Sequence, residues 1–226
     1  MKIFKRILLF INDTKKFSKE ELFIEAISGL QIKNYFAYNS EKEYDAYQWK
    51  IDTAAKELET NEILNFTSKG FDYIFENLVL QTSYDLVIFV KNYESMFDEH
   101  KLNLLKLIAS KFDRVGDNKI RIYTYSGELS KQFSDLEINY KSVFYTPLNF
   151  IDDIDANNFI VSDKVSYWLE EHESAKTRNL LSDKIKLKAK VNFKDASKSK
   201  ELINYVNGID RFIHSKIKAN SLKMEE

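Results

Sequence analysis

The chain has 226 residues, 44% of them hydrophobic, enough to bury a sizeable core as one large domain or two small ones. Its 34 basic and 35 acidic residues nearly cancel, which excludes a global field drawing the molecule to nucleic acid or to an anionic membrane; such binding must come from a local patch. Cysteine is absent, which excludes disulfides, thiolate metal sites and a cysteine nucleophile, and a reducing, cytoplasmic setting is expected.

Basic residues precede a short apolar run at 7–11, but polar Asn12 and Asp13 follow where a signal peptide would carry a small-residue cleavage site. A buried strand is expected instead. No window approaches the ~20 apolar residues of a membrane-spanning helix, so no membrane association is expected. Ser18 with Glu21 forms a capping-box pattern opening a helix through about residue 30, and the aromatic run 32–38 reads as a second strand. Helical spacing then runs over 41–59 (Tyr44, Tyr47, Ile51, Ala54, Ala55, Leu58 inward) and over 68–80 (Phe71, Ile74, Phe75, Leu78 inward).

Residues 85–90 form a continuous apolar run, as a strand covered on both faces should. A helical stripe over 96–112 leads through the turn at 116–118 into a strand at 119–125, a crossover that joins parallel strands. A strand is expected at 142–146 and an acidic loop at 152–155. Three β-like runs follow at 158–163, 164–169 and 186–193, with little room for crossovers, so they should pair antiparallel. Asp195 or Ser197 should cap a last helix whose inward face is Leu202, Ile203, Val206, Ile209, Phe212 and Ile213.

The expected fold is α/β: a mixed, largely parallel sheet flanked by helices, with an antiparallel C-terminal strand group. Its predicted core includes Leu8, Phe10, Val87, Phe89, Leu105, Ile108, Ile122, Ile160, Val191 and Ile209. A composition change near residues 81–83 suggests an N-terminal α/β portion (1–82) and a second unit (83–226). No linker marks that boundary, so one compact domain is the alternative.

Lys184, Lys186, Lys188 and Lys190 alternate with Ile185, Leu187 and Ala189, which places four cations on one face of a strand. The first reading is an edge strand guarded by lysines, and the second a phosphate-contacting stripe for nucleic acid, extended by Lys194, Lys198, Lys200 and the tail lysines. Of the histidines, His100 opens a helix, and His172 with Glu170 and Glu173 fails the spacing of a helical zinc site. Glycine-rich phosphate loops are absent, so neither metal nor cofactor is expected.

The order of elements from residue 84 onward resembles one half of a phospholipase D-like domain. Catalytic members carry His, any residue, Lys, four residues and Asp, then a Gly-Ser pair. With Asp163 as the motif's Asp, Ala156 stands for the nucleophilic His and Asn158 for the phosphate-binding Lys, while Glu170 and Glu171 stand for the Gly-Ser pair. Phosphoryl transfer by that route needs an imidazole to form the phospho-enzyme and cations at the transferring group. The resemblance therefore implies a degenerate, non-catalytic binding or assembly module, acting as a homodimer or through a protein partner or nucleic acid. His214-Ser-Lys216 matches the first half of the motif by chance, since Ser221 stands where its Asp should be. An enzyme acting on a nucleotide or phosphoester at the carboxyl ends of the parallel strands, near Lys91, Asn92, Ser126 and Gly127, is the alternative.

Overall fold

A computed structural model describes residues 41–65, 67–90, 97–124, 129–148, 157–171 and 189–223. The strands expected at 7–11 and 32–38, the helix at 18–30, and core candidates Leu8 and Phe10 lie outside the described residues.

Helix α1 (Glu41–Glu57) buries Tyr47, Ile51, Ala54 and Ala55. Leu58, expected on that inward face, is instead 44% exposed and takes φ 51°, ending the helix in a left-handed residue while Glu59 N–H donates back to Ala54 carbonyl at 3.0 Å. Strand β1 (Ile63–Asn65) follows, then α2 (Ser68–Gln81), whose N-cap Thr67 accepts from Gly70 N–H. Strand β2 (Asp85–Val90) is buried throughout. Helix α3 (Glu99–Val115) begins three residues later than its apolar stripe suggests, because Asp98 accepts from Lys101 N–H and fixes the start. It ends at Gly116, whose φ of 106° a side chain would oppose. Strand β3 (Lys119–Thr124), helix α4 (Leu129–Asn139), strand β4 (Val143–Pro147), the hairpin β5 (Phe159–Ser162) and β6 (Ser166–Glu170), strand β7 (Ala189–Asn192) and helix α5 (Ala196–Lys223) complete the order.

The seven strands form one mixed sheet in the order β1-β7-β6-β5-β2-β3-β4. Parallel pairing joins β2, β3 and β4, and every pairing from β2 through β5, β6 and β7 to β1 is antiparallel, as expected of the C-terminal group. Strand β2 is thus flanked by β3 on one side and by β5 on the other.

The pleat divides two cores. Leu86, Ile88 and Val90 face a layer built by α1, α2, α3 and α4, where Phe71, Phe75, Phe112 and Trp168 are buried together. Val87 and Phe89 face the opposite layer, covered by Leu202, Ile203, Val206 and Ile209 of α5. Residues before and after position 82 share the first core, and β1 enters the sheet through β7. Between α2 and α3 the Lys101 ammonium, buried to 3% exposure, lies 2.7 Å from Asp72 and 3.1 Å from Asp98.

Candidate functional site

The turn between β5 and β6 places Asp163 and Lys164 at φ 50° and 62°, closed by Val165 N–H donating to Ser162 carbonyl at 3.1 Å. Two positive φ values in succession match the strand twist of a hairpin, and a short Asp side chain tolerates that region. From this corner the Asp163 carboxylate accepts from the N–H groups of Ser83 (2.8 Å), Tyr84 (2.9 Å) and Asp85 (3.1 Å). The Tyr84 hydroxyl donates to Asp163 carbonyl, and Asp163 N–H donates to Asp85 carbonyl at 2.8 Å. Asp163 is therefore the clamp that holds the entrance of β2.

At the other end of β5, Asn158 donates through Nδ2 to Glu170 Oε2 at 2.5 Å, across the hairpin. Asn158 precedes Asp163 by five residues, which sets this pair about 16 Å from it at the usual rise of a strand. Asn158, Glu170 and Asp163 thus sit at opposite ends of the hairpin, and two of the three accept rather than donate. Ala156 lies outside the described residues and has no imidazole to offer. Lys91, Asn92, Ser126, Gly127 and His172 also lie outside them.

Strand β7 is interior between β1 and β6, so over Ala189–Asn192 the reading of a lysine-guarded edge strand is corrected. Ala189 is buried and Lys190 faces the other way, as the alternation expects. Lys190 Nζ lies 2.8 Å from Glu62 Oε1 and 3.9 Å from Glu171 Oε1. Tyr167, paired one strand over, donates to the same Glu62 oxygen at 2.7 Å. Burial pushes the Glu62 carboxyl up, but the bonds from Lys190 and Tyr167 and the Lys190 charge outweigh it and hold the group below its ordinary value. Burial, then the bond to Glu62, pushes the Tyr167 phenol far up. Lys190 is consequently tied into an ion-pair cluster at the sheet's β1 side, while Lys184, Lys186 and Lys188 lie outside the described residues. Glu62 escaped sequence reasoning because its partner Tyr167 is 105 residues away.

A second polar tie joins the sheet to α5. Arg121 donates to Asp85 (3.0 Å) and to Asn207 (3.1 Å), and Tyr123 donates to Asp210 at 2.9 Å. His214 sits on exposed helix, its Nδ1 2.7 Å from Asp210 carbonyl, and His100 is 3.8 Å from Glu76. Among the described residues no group of three or more His, Asp or Glu side chains is placed to hold a metal. A groove of about 620 Å³ between α3 and α4, lined by Phe97, Leu102, Lys106, Asp135 and Tyr140 among others, lies in the layer opposite α5.

No family model and no curated protein matches the sequence. Similar solved structures were found. TrmBL2, an archaeal chromatin protein with a novel mode of DNA binding, shares 9% identity at a TM-score of 0.48, covering 92% of this chain and 97% of its own. Nuc of Salmonella typhimurium, a phospholipase D family member, shares 10% identity at a TM-score of 0.44, over 64% of this chain and 90% of its own. The structural neighbours include phospholipase D-family proteins. Phosphatidylserine synthase of Haemophilus influenzae Rd KW20 shares 10% identity at a TM-score of 0.45, and the match covers 71% of this chain but 40% of that enzyme. Matches this remote carry no argument, and chemistry is read from the contacts above. No described helix is long and apolar enough to cross a membrane.

Proposed function

We propose that this chain is a non-catalytic binding module acting through nucleic acid or a protein partner, a second copy of itself included. One observation carries the reading: the Asp of the phosphodiesterase-like frame spends its carboxylate on three backbone amides, about one hairpin length from Asn158 and Glu170. Phosphoryl transfer needs its nucleophile, acid and cations within about 3 Å of one reacting centre, and this frame supplies an alanine, an amide and three carboxylates. The reading requires no metal or cofactor, and a cytoplasmic setting suits it. Lys184, Lys186 and Lys188 remain proposed contact residues, with Lys190 anchoring the strand they lead into.

The test is turnover of bis(p-nitrophenyl) phosphate and of single- and double-stranded DNA by the purified chain, with and without EDTA. No cleavage is expected, and Ala156→His with Asn158→Lys should not create any. Metal-independent cleavage abolished by His214→Ala would overturn the proposal.

A further inference from the structure

Helix α5 is the longest element described, 28 residues or about 42 Å. Asp210 makes its bond to Tyr123 on β3, with a single strand remaining beyond, and residues 211–223 follow as about 20 Å of further helix. Ile213 still packs against the core, while Arg211, Phe212, His214, Ser215 and Lys216 are exposed. In sequence those thirteen residues carry Arg211, Lys216, Lys218, Lys223 and His214 and no carboxylate, so this stretch holds +4 while the rest of the chain carries a net −5.

The part of α5 that crosses the sheet is neutral by count, Lys198 and Lys200 against Glu201 and Asp210, but its outward face adds one unpaired cation. Lys200, Asn204, Arg211 and His214 follow at helical spacing on the face turned from the core, and all are exposed. Arg211 bonds within its own helix, to Asn207 carbonyl at 3.2 Å, and neither it, Lys200 nor Lys216 has a carboxylate partner among the described residues. This distinguishes them from Lys101, Lys190 and Lys198, which are ion-paired.

We infer that the outward face of α5, through Lys200, Arg211 and Lys216, binds the phosphate backbone of nucleic acid. This rests on the non-catalytic reading and names its partner. A membrane-surface helix needs a free apolar face, whereas Leu202, Ile203, Val206 and Ile209 are committed to the sheet, and exposed Phe212 lies under the Lys216 ammonium at 5.5 Å. Unpaired cations without base-reading geometry are what sequence-independent phosphate binding requires.

The experiment is fluorescence anisotropy of a fluorescein-labelled 25-base-pair duplex of mixed sequence, titrated with the full chain between 50 and 200 mM salt. Replacing Lys200, Arg211 and Lys216 by Glu should weaken binding at least roughly tenfold and flatten the logarithmic salt slope by about 3, near 0.9 per lost phosphate contact. Reversing Lys106, Lys111 and Lys131, exposed on α3 and α4, matches the charge change and should leave affinity within about twofold; circular dichroism checks that both variants fold. No binding at 50 mM salt, equal loss in both triple variants, or attachment to phosphatidylserine vesicles without DNA binding would overturn the inference. Cleavage of the bound duplex would instead sink the non-catalytic reading and leave the surface standing.

Discussion

The Glu137 carboxylate on α4 accepts a hydrogen bond from the backbone N–H of Tyr145, on edge strand β4, at 3.1 Å. Strand β4 bonds inward to β3 through alternate residues, since Ile120 N–H donates to Ser142 carbonyl and Leu148 N–H to Thr124 carbonyl, each at 2.8 Å. The outward positions are therefore 143, 145 and 147. Val143 N–H is taken by Tyr140 carbonyl at 3.1 Å, Tyr145 by Glu137, and Pro147 has no N–H. An edge strand with its outward donors spent offers another strand only its carbonyls, which weakens pairing along an edge bearing an exposed Phe144.

Removing that cover should be visible as association. Glu137→Ala is expected to populate dimers or larger species as concentration rises, measured by sedimentation velocity, whereas Glu137→Gln keeps an acceptor oxygen and should sediment as wild type. Identical profiles for Ala and wild type would show that the edge is protected by something else.

The clamp at Asp163 should be costly to lose. Asp163→Ala strips three amides of their acceptor and places a β-carbon residue without a local hydrogen bond at φ 50°, so urea denaturation should show a loss of about 2–4 kcal/mol. Asp163→Gly relaxes the backbone but not the amides and should fall between wild type and Ala. An Ala variant within 0.5 kcal/mol of wild type, on the order of a neutral surface change, would remove the clamp from the account.

Leu58 supplies the converse case, a residue whose replacement should help. It is exposed and left-handed at the end of α1, where glycine sits without steric cost. Leu58→Gly should stabilise by about 0.5–1 kcal/mol, the strain relief less the added freedom of the unfolded chain, and raise Tm by about 2 °C. A drop in Tm would mean that the leucine's remaining contacts outweigh its backbone strain.

Acid should weaken the fold through three carboxylates. Bonding to Ser142 holds Asp113 below its ordinary value, the Lys101 N–H does the same for Asp98, and Lys190 with Tyr167 overcome burial at Glu62. In each case the unfolded chain binds the proton more readily, so stability rises with pH through the acid range. The contribution is full above the unfolded values near about 4 and lost as pH falls through the lower folded values. Asp98→Asn, Asp113→Asn and Glu62→Gln together should flatten the urea midpoint between about pH 3 and 5. An unchanged slope would assign the acid sensitivity elsewhere.

Periodicity carried the described strands and helices where apolar residues were numerous: Val87, Phe89, Leu105, Ile108, Ile122, Ile160, Val191 and Ile209 are all buried as the pattern expects. It passed over β1, three residues long, because so short a run has no period, and α4, whose buried Phe133 and Leu136 are too few to form a stripe. Phe212, expected inward, is 44% exposed, whereas Ile213 beside it still packs against the core, so the buried stripe is narrower than the apolar one. The site was less legible. Asp163, Asn158 and Glu170 were singled out, but their roles depend on which strand end faces which, and no local pattern encodes the meeting of Asp163 with Ser83, 80 residues earlier.

Strand β1 meets β7, and Asn192 reaches Thr60 across 132 residues of sequence. A nascent chain emerging from the ribosome therefore presents β1 and α2 long before the strand they border exists, while β2, α3 and β3 can already close their local crossover. Assembly should accordingly begin in the middle of the chain and finish at its two ends. The slow step would be a search across the long loop between them, and a chain halted before residue 189 would hold β1 without its β7 partner.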